Sequence, residues 1–204
     1  MRRKSLLVII SAVSIFFTTA SVAVSGEAVK EDGVKDISSF GGYEWDTPYE
    51  EVLENEITPD MSSYTDYELD EDEDLHIKTI ILKGRSVGGY DAVTQFIFSE
   101  SGLSAAGYVL DVIGSEEVAD IVGKYATVYG DALVVKEYSA GKTCAIWEDG
   151  KENRIALILD VEEGEGSDSI IYFSHDSEFW DLCSEHGPIN LNKELNKIGN
   201  LDGI

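Results

Sequence analysis

Phe40-Gly-Gly-Tyr-Glu-Trp-Asp-Thr-Pro-Tyr-Glu-Glu-Val-Leu53 carries an aromatic group straight into a helix start. Thr47 and Glu50 stand at capping-box spacing, where the hydroxyl accepts from the N–H of residue 50 and the carboxylate reaches back to residue 47. Pro48 falls where the first helical N–H needs no partner. The reading is a short helix over 48–56, closed by Thr58-Pro59, because a residue before proline is driven out of helical geometry. The residues before the stretch read as export signal and tether, and those after it as strands and helices.

Toward the N-terminus, Arg2, Arg3 and Lys4 lead an uncharged, mostly apolar run over 6–24 that exits through small residues. That order is a secretory signal peptide, assigned to residues 1–26. Residues 27–38 are polar and aperiodic and read as a flexible tether, leaving 39–204 as a single α+β domain with one core. The expected location is secreted, extracellular or cell-surface associated, with no integral membrane segment after cleavage.

Toward the C-terminus, residues 60–74 are polar and acidic and read as a loop. From Leu75 the period becomes two. Strands are expected over 75–83, 90–98 and 103–112, with Tyr90, Ala92, Thr94, Phe96 and Phe98 on one face. Ser115 then opens the clearest helix, with Glu116 and Glu117 at its positive end, Gly130 as its stop, and Val118, Ile121, Val122, Tyr125 and Val128 as an apolar stripe. A second set of strands is expected over 133–138, 143–148, 154–160 and 169–174, with Asp149-Gly150 as a hairpin signal. A short helix is expected over 179–186, and Leu191, Leu195 and Ile198 hint at another. The fold class is thus α+β: antiparallel β-meander sheet with two main helices packed on one face, in helix–strands–helix–strands order. The other sheet face is left for water or a partner.

Forty acidic residues against fifteen basic ones give a net charge of −25. A chain this acidic is repelled by nucleic acid and by anionic lipid, which excludes both as partners. Cys144 and Cys183 could pair in an oxidising compartment, or Cys144 could be an ordinary core residue of an apolar strand.

Catalytic and metal patterns do not assemble. His175, Cys183 and His186 have zinc-ligand residue types, but the paired spacing of a four-ligand site is missing. Asp70, Asp72 and Asp74 alternate like the start of a calcium loop, yet the sixth and twelfth positions are Leu75 and Ile81, where an EF-hand needs Gly and Glu. The acidic loop at 162–168 has the same standing. Ser174-His175-Asp176 is contiguous, which is not how triads assemble in space. Residues 84–89 lack the Lys of a phosphate loop. No catalytic residue, metal ligand or cofactor is assigned. Tyr64 and Tyr67, in the acidic segment, are the aromatics least explained by burial and are the candidate binding residues.

The stretch Gly42-Tyr-Glu-Trp-Asp-Thr-Pro-Tyr-Glu-Glu-Val52 resembles the helix start of secreted proteins and lipoproteins with helix-plus-meander repeats. Among them are the outer-membrane assembly lipoproteins of the SmpA/OmlA type and the β-lactamase-inhibitor protein. Members usually carry Gly where this chain has Asp46, and a Gly that closes the helix, absent here. The resemblance implies a tandem α+β unit that binds proteins through an exposed sheet face without catalysis. The chain is also similar to uncharacterised exported proteins of Gram-positive bacteria. The leading expectation is an exported, non-enzymatic binding module with a protein partner. The alternatives are an extracellular hydrolase of cell-wall or other polymer, and a calcium-responsive surface protein.

Overall fold

The computed structural model describes residues 35–63, 65–110, 115–139, 142–160 and 168–186. The signal-peptide assignment, Tyr64, most of the 162–168 loop and the apolar residues at 191, 195 and 198 lie outside them.

A two-stranded hairpin, β1 (Ser39–Phe40) and β2 (Tyr43–Glu44), leads into helix α1 (Tyr49–Glu56). Strands β3 (Tyr67–Asp72), β4 (Ile77–Val87), β5 (Tyr90–Ser99) and β6 (Gly102–Leu110) come next. Helix α2 (Ser115–Tyr129) opens the second run: β7 (Val134–Ser139), β8 (Lys142–Glu148), β9 (Arg154–Asp160), β10 (Asp168–Phe173) and helix α3 (Glu178–His186). The eight long strands form one antiparallel sheet in the order β3-β4-β5-β6-β10-β9-β8-β7. Each half is a helix followed by a four-strand meander, and the two last strands, β6 and β10, meet to join them.

At that joint Gly107 lies opposite Ile171. A Cβ at position 107 would collide with the carbonyl oxygen of Ile170, so the close approach of the halves requires glycine there.

Alternation along the strands builds two cores. On one face Ile80, Leu82, Phe96, Phe98, Leu103, Ala106, Trp147, Ile155, Leu157 and Ile170 pack with Val52 of α1 and with Val118, Ile121 and Tyr125 of α2. Burying each large side chain stabilises by roughly 1.5–3 kcal/mol before chain entropy is set against it. The opposite face is not open. Phe179, Trp180 and Cys183 of α3 pack there on Ile97, Ala105, Ile146, Ala156, Ile171 and Phe173, and Thr79, Ile81 and Gln95 are buried as well. The expectation of a sheet face left for a partner is therefore corrected. Arg154 fixes α3 further, its guanidinium 4.9 Å from the Trp180 ring and its Nε 2.7 Å from Glu148.

The helix entry also differs from its reading. Thr47 Oγ1 donates back to Glu44 O (2.7 Å), and Thr47 O accepts from Leu103 N (2.9 Å), so the hydroxyl serves a turn and the residue is pinned to β6. Pro48 becomes the cap, extended at φ −60° and ψ 144°, and no side chain caps the helix. Asp46 just before it has φ +66°, the left-handed conformation that Asp tolerates better than most residues.

The acidic loop expected over 60–74 contains an edge strand, β3, because Tyr67 and Leu69 pair opposite Leu82 and Ile80. Its acidic side chains blunt that edge against pairing with another chain. The Asp149-Gly150 signal closes a wider loop than a two-residue turn, since the last pair is Glu148↔Arg154. Asp149 organises that loop. It accepts from Lys151 N (2.8 Å), Asn153 N (3.0 Å) and Asn153 Nδ2 (3.0 Å), and it reaches across to Ile37 N (2.9 Å). Ile37, ahead of the expected domain start, is buried. Burial opposes the Asp149 charge, but the donors from Asn153, Ile37 and Lys151 outweigh it and hold the carboxyl below its ordinary range.

Candidate functional site

A cavity of about 210 Å³ opens between α2 and the tip of the β4–β5 hairpin. Local sequence builds each wall. The hairpin turns through Gly88-Gly89, both at positive φ, the requirement of a type I′ turn between Val87 and Tyr90. A register shift between Leu82 and Arg85 bends β4 on its way to that tip. The apolar stripe of α2 supplies Ile121, Tyr125 and Tyr129, and β10 supplies Ile170 and Tyr172 as the floor.

The tip is latched to the helix. Lys124 Nζ lies 2.6 Å from Asp120 Oδ2, donates to Gly88 O (3.1 Å), and sits 5.5 Å from the centre of the Tyr90 ring. Tyr90 Oη donates to the same Asp120 oxygen at 3.0 Å. Hydrogen bonds from Lys124 and then Tyr90 hold the Asp120 carboxyl below the usual range, and its bond raises the pKa of Lys124. All these groups are at the surface, so their part is positional rather than strongly stabilising.

Inside, Tyr125 and Tyr172 are each 8% exposed, and their hydroxyls meet at 2.9 Å. Tyr129 stacks on Tyr125 at 5.7 Å, and Trp147 packs against Tyr125 at the same separation. The Trp147 indole donates to Gly130 O (2.8 Å) where α2 stops. Burial pushes both phenols well above their ordinary pKa, so each keeps its proton. The cavity thus has aromatic and aliphatic walls, hydroxyl donors and one ammonium; no carboxylate side chain is among its described lining residues. Val128, at 47% exposure one of three large exposed hydrophobes among the described residues, forms its outer lip.

Of the two sequence candidates, the described one lies elsewhere. Tyr67 is half-buried on β3 against the first core, away from the cavity, and Tyr64 is outside the described residues. Tyr125 was legible only as core stripe. Its partner Tyr172 is 47 positions away, at the far end of the second meander, and the packing of α2 on the sheet brings the two together.

The remaining chemistry stays apart. Asp72 Oδ1 accepts from the backbone of Asp74 (3.0 Å) and Leu75 (3.1 Å), so it closes the β3–β4 turn. Ser174 Oγ donates to Asp176 (2.9 Å), while the exposed His175 ring lies 3.8 Å from that carboxylate. No group of three His, Cys, Asp or Glu among the described residues is placed to hold a metal ion. Cys144 and Cys183 are both buried in the core beneath α3 and are not bridged to each other, and burial pushes the Cys183 thiol up to about 12.

Comparison with known protein families, with curated proteins and with solved structures gives no match to this chain.

Proposed function

We propose that this chain is an exported, non-enzymatic binding module that engages a protein partner at the tyrosine-lined groove beside α2. The observation that carries the reading is the groove's lining: rings, aliphatic side chains and hydrogen-bond donors, with no carboxylate side chain among the described residues. A polymer hydrolase needs two carboxyls across a bond, one of them kept protonated by a raised pKa. The described carboxyls with a clear shift, Asp60, Asp120 and Asp149, are all held low instead. A partly open apolar pocket with an exposed apolar lip is the form that receives an anchor side chain at an interface.

The charge of −25 argues against nucleic acid and anionic membrane as the partner. No helix among the described residues is long and apolar enough to cross a membrane. Export rests on residues 1–26. We take α1 and α2 as the two main helices of the sequence reading, α2 supplying a wall of the site. The resemblance of residues 42–52 to helix-plus-meander binding proteins supports the reading, and Asp46, where those proteins usually carry Gly, takes the left-handed conformation.

Affinity capture from the native culture, run beside an assay on cell-wall polymer, tests the reading. The expected result is a stoichiometric protein partner and no turnover. Turnover that disappears on replacing a carboxylate would overturn it.

A further inference from the structure

We infer that the anchor received by this groove is a tyrosine side chain of the partner protein, an inference that rests on the binding-module reading and names its chemistry. Size comes first. An apolar cavity of about 150 Å³ is enough to take up benzene. The 210 Å³ here holds a six-membered ring with room for a polar substituent.

Charge decides next. An anion would be driven off by the field of a chain at −25. A cation would enter a site whose described lining offers no carboxylate, and the carboxylate nearest its mouth, Asp120, is already taken by Lys124 and Tyr90. The fitting group is therefore neutral.

Hydrogen bonding then selects the substituent. Two hydroxyls bonded to each other, Tyr125 and Tyr172, use one of their two protons and leave the other for a further acceptor. Extending the chain to the hydroxyl of Tyr129 moves the spare proton without removing it. A phenol oxygen at the end of the entering ring accepts it. At the mouth, Lys124 has three N–H donors, of which Asp120 and Gly88 O take two. The third remains for the main-chain carbonyl beside the anchor. A partner's tyrosine supplies ring, phenol and carbonyl together, and the opening between Val128 and Gly88, both exposed, lets its main chain stay outside.

The test is titration of the full chain with N-acetyl-tyrosinamide, N-acetyl-phenylalaninamide, N-acetyl-lysinamide and p-cresol, read from the methyl resonances of Ile121, Val128 and Ile170. The tyrosine probe is expected to shift them with an affinity on the order of millimolar. The phenylalanine probe should bind about fivefold more weakly for want of the phenol, p-cresol more weakly for want of the carbonyl, and the lysine probe not at all. Replacing Tyr125, Tyr129 and Tyr172 together by Phe keeps the ring volume and should erase the tyrosine-over-phenylalanine preference. Val128→Trp, on the exposed lip, should block all probes while leaving the melting temperature near wild type. Equal binding of the tyrosine and phenylalanine probes overturns the inference, as does p-cresol matching the tyrosine probe, which would make this a site for free phenols. A partner still captured by the wild-type chain in either case would leave the binding-module reading standing.

Discussion

In the first half of the sheet, α1 buries only Val52 fully. The space around it is filled by residues from before the repeat: Phe40 lies 5.5 Å from Phe96 and 5.1 Å from Tyr108, and Tyr43 packs edge-on against Phe96. Trp45 joins them, its indole donating to Ile37 O (2.8 Å). In the second half, α2 is nearly twice as long and packs on the sheet with its own stripe. The wedge reaches that half at Tyr172, through Phe40 (5.1 Å), but none of its residues lines the groove beside α2 among the described residues, and the tyrosines leave a cavity. The same helix-plus-meander plan thus gives one sealed half and one open half. The plan supplies a scaffold, and its asymmetric filling supplies the site.

The contrast can be broken most directly at the wedge. Phe40→Ala removes a ring that also reaches Tyr172 of the second half at 5.1 Å, and it should cost about 4 kcal/mol by denaturant titration. A loss under about 1 kcal/mol would mean that the first half is not sealed by this side chain. Gly107→Ala attacks the joint instead. Driving a Cβ into the carbonyl of Ile170 should cost about 3 kcal/mol and lower protection from hydrogen exchange in β6 and β10 before the outer strands.

Asp149→Ala releases the segment that carries the wedge. Losing the charged acceptor that the Ile37, Lys151 and Asn153 donors share should cost about 2 kcal/mol at neutral pH. The sign of its pH dependence follows from the depressed folded-state pKa. The stabilisation is complete above the unfolded aspartate value of about 4 and is lost as pH falls through the folded value. Wild type and variant should therefore begin to converge in stability as pH falls below about 4 and meet below the folded-state value. A gap that persists unchanged in acid would assign the effect to packing. The smallest stability effect is expected at the open half, where Val128→Trp should change stability by no more than about 0.5 kcal/mol.

Much of this frame was legible because it is local. The α2 stripe, the Gly130 stop and the alternation of β5 follow from spacing within a few residues; the last two stand in the structure, and the stripe stands from Val118 to Tyr125, while Val128, its expected last member, is exposed. What escaped depends on pairing across the chain. β3 reads as a charged loop until Tyr67 and Leu69 are set against β4. Thr47 reads as a cap until Leu103 engages its carbonyl. The second sheet face reads as open when both main helices are put on one side, although Ile80-Ile-Leu82 and Ile170-Ile-Tyr-Phe173 already carry apolar residues at both parities, the mark of strands buried on two faces. The site was hidden for the same reason. Tyr125 and Tyr172 belong to different elements, and nothing in either segment points to the other.

Xenon separates a sealed half from an open one most directly, because it enters apolar cavities without needing any polar contact. Methyl spectra recorded under xenon pressure should show shifts at Ile121 and Ile170, beside the cavity, and none at Val52 and Leu82, beneath the aromatic wedge. Equal shifts in both sets, or none at Ile121 and Ile170, would contradict the account.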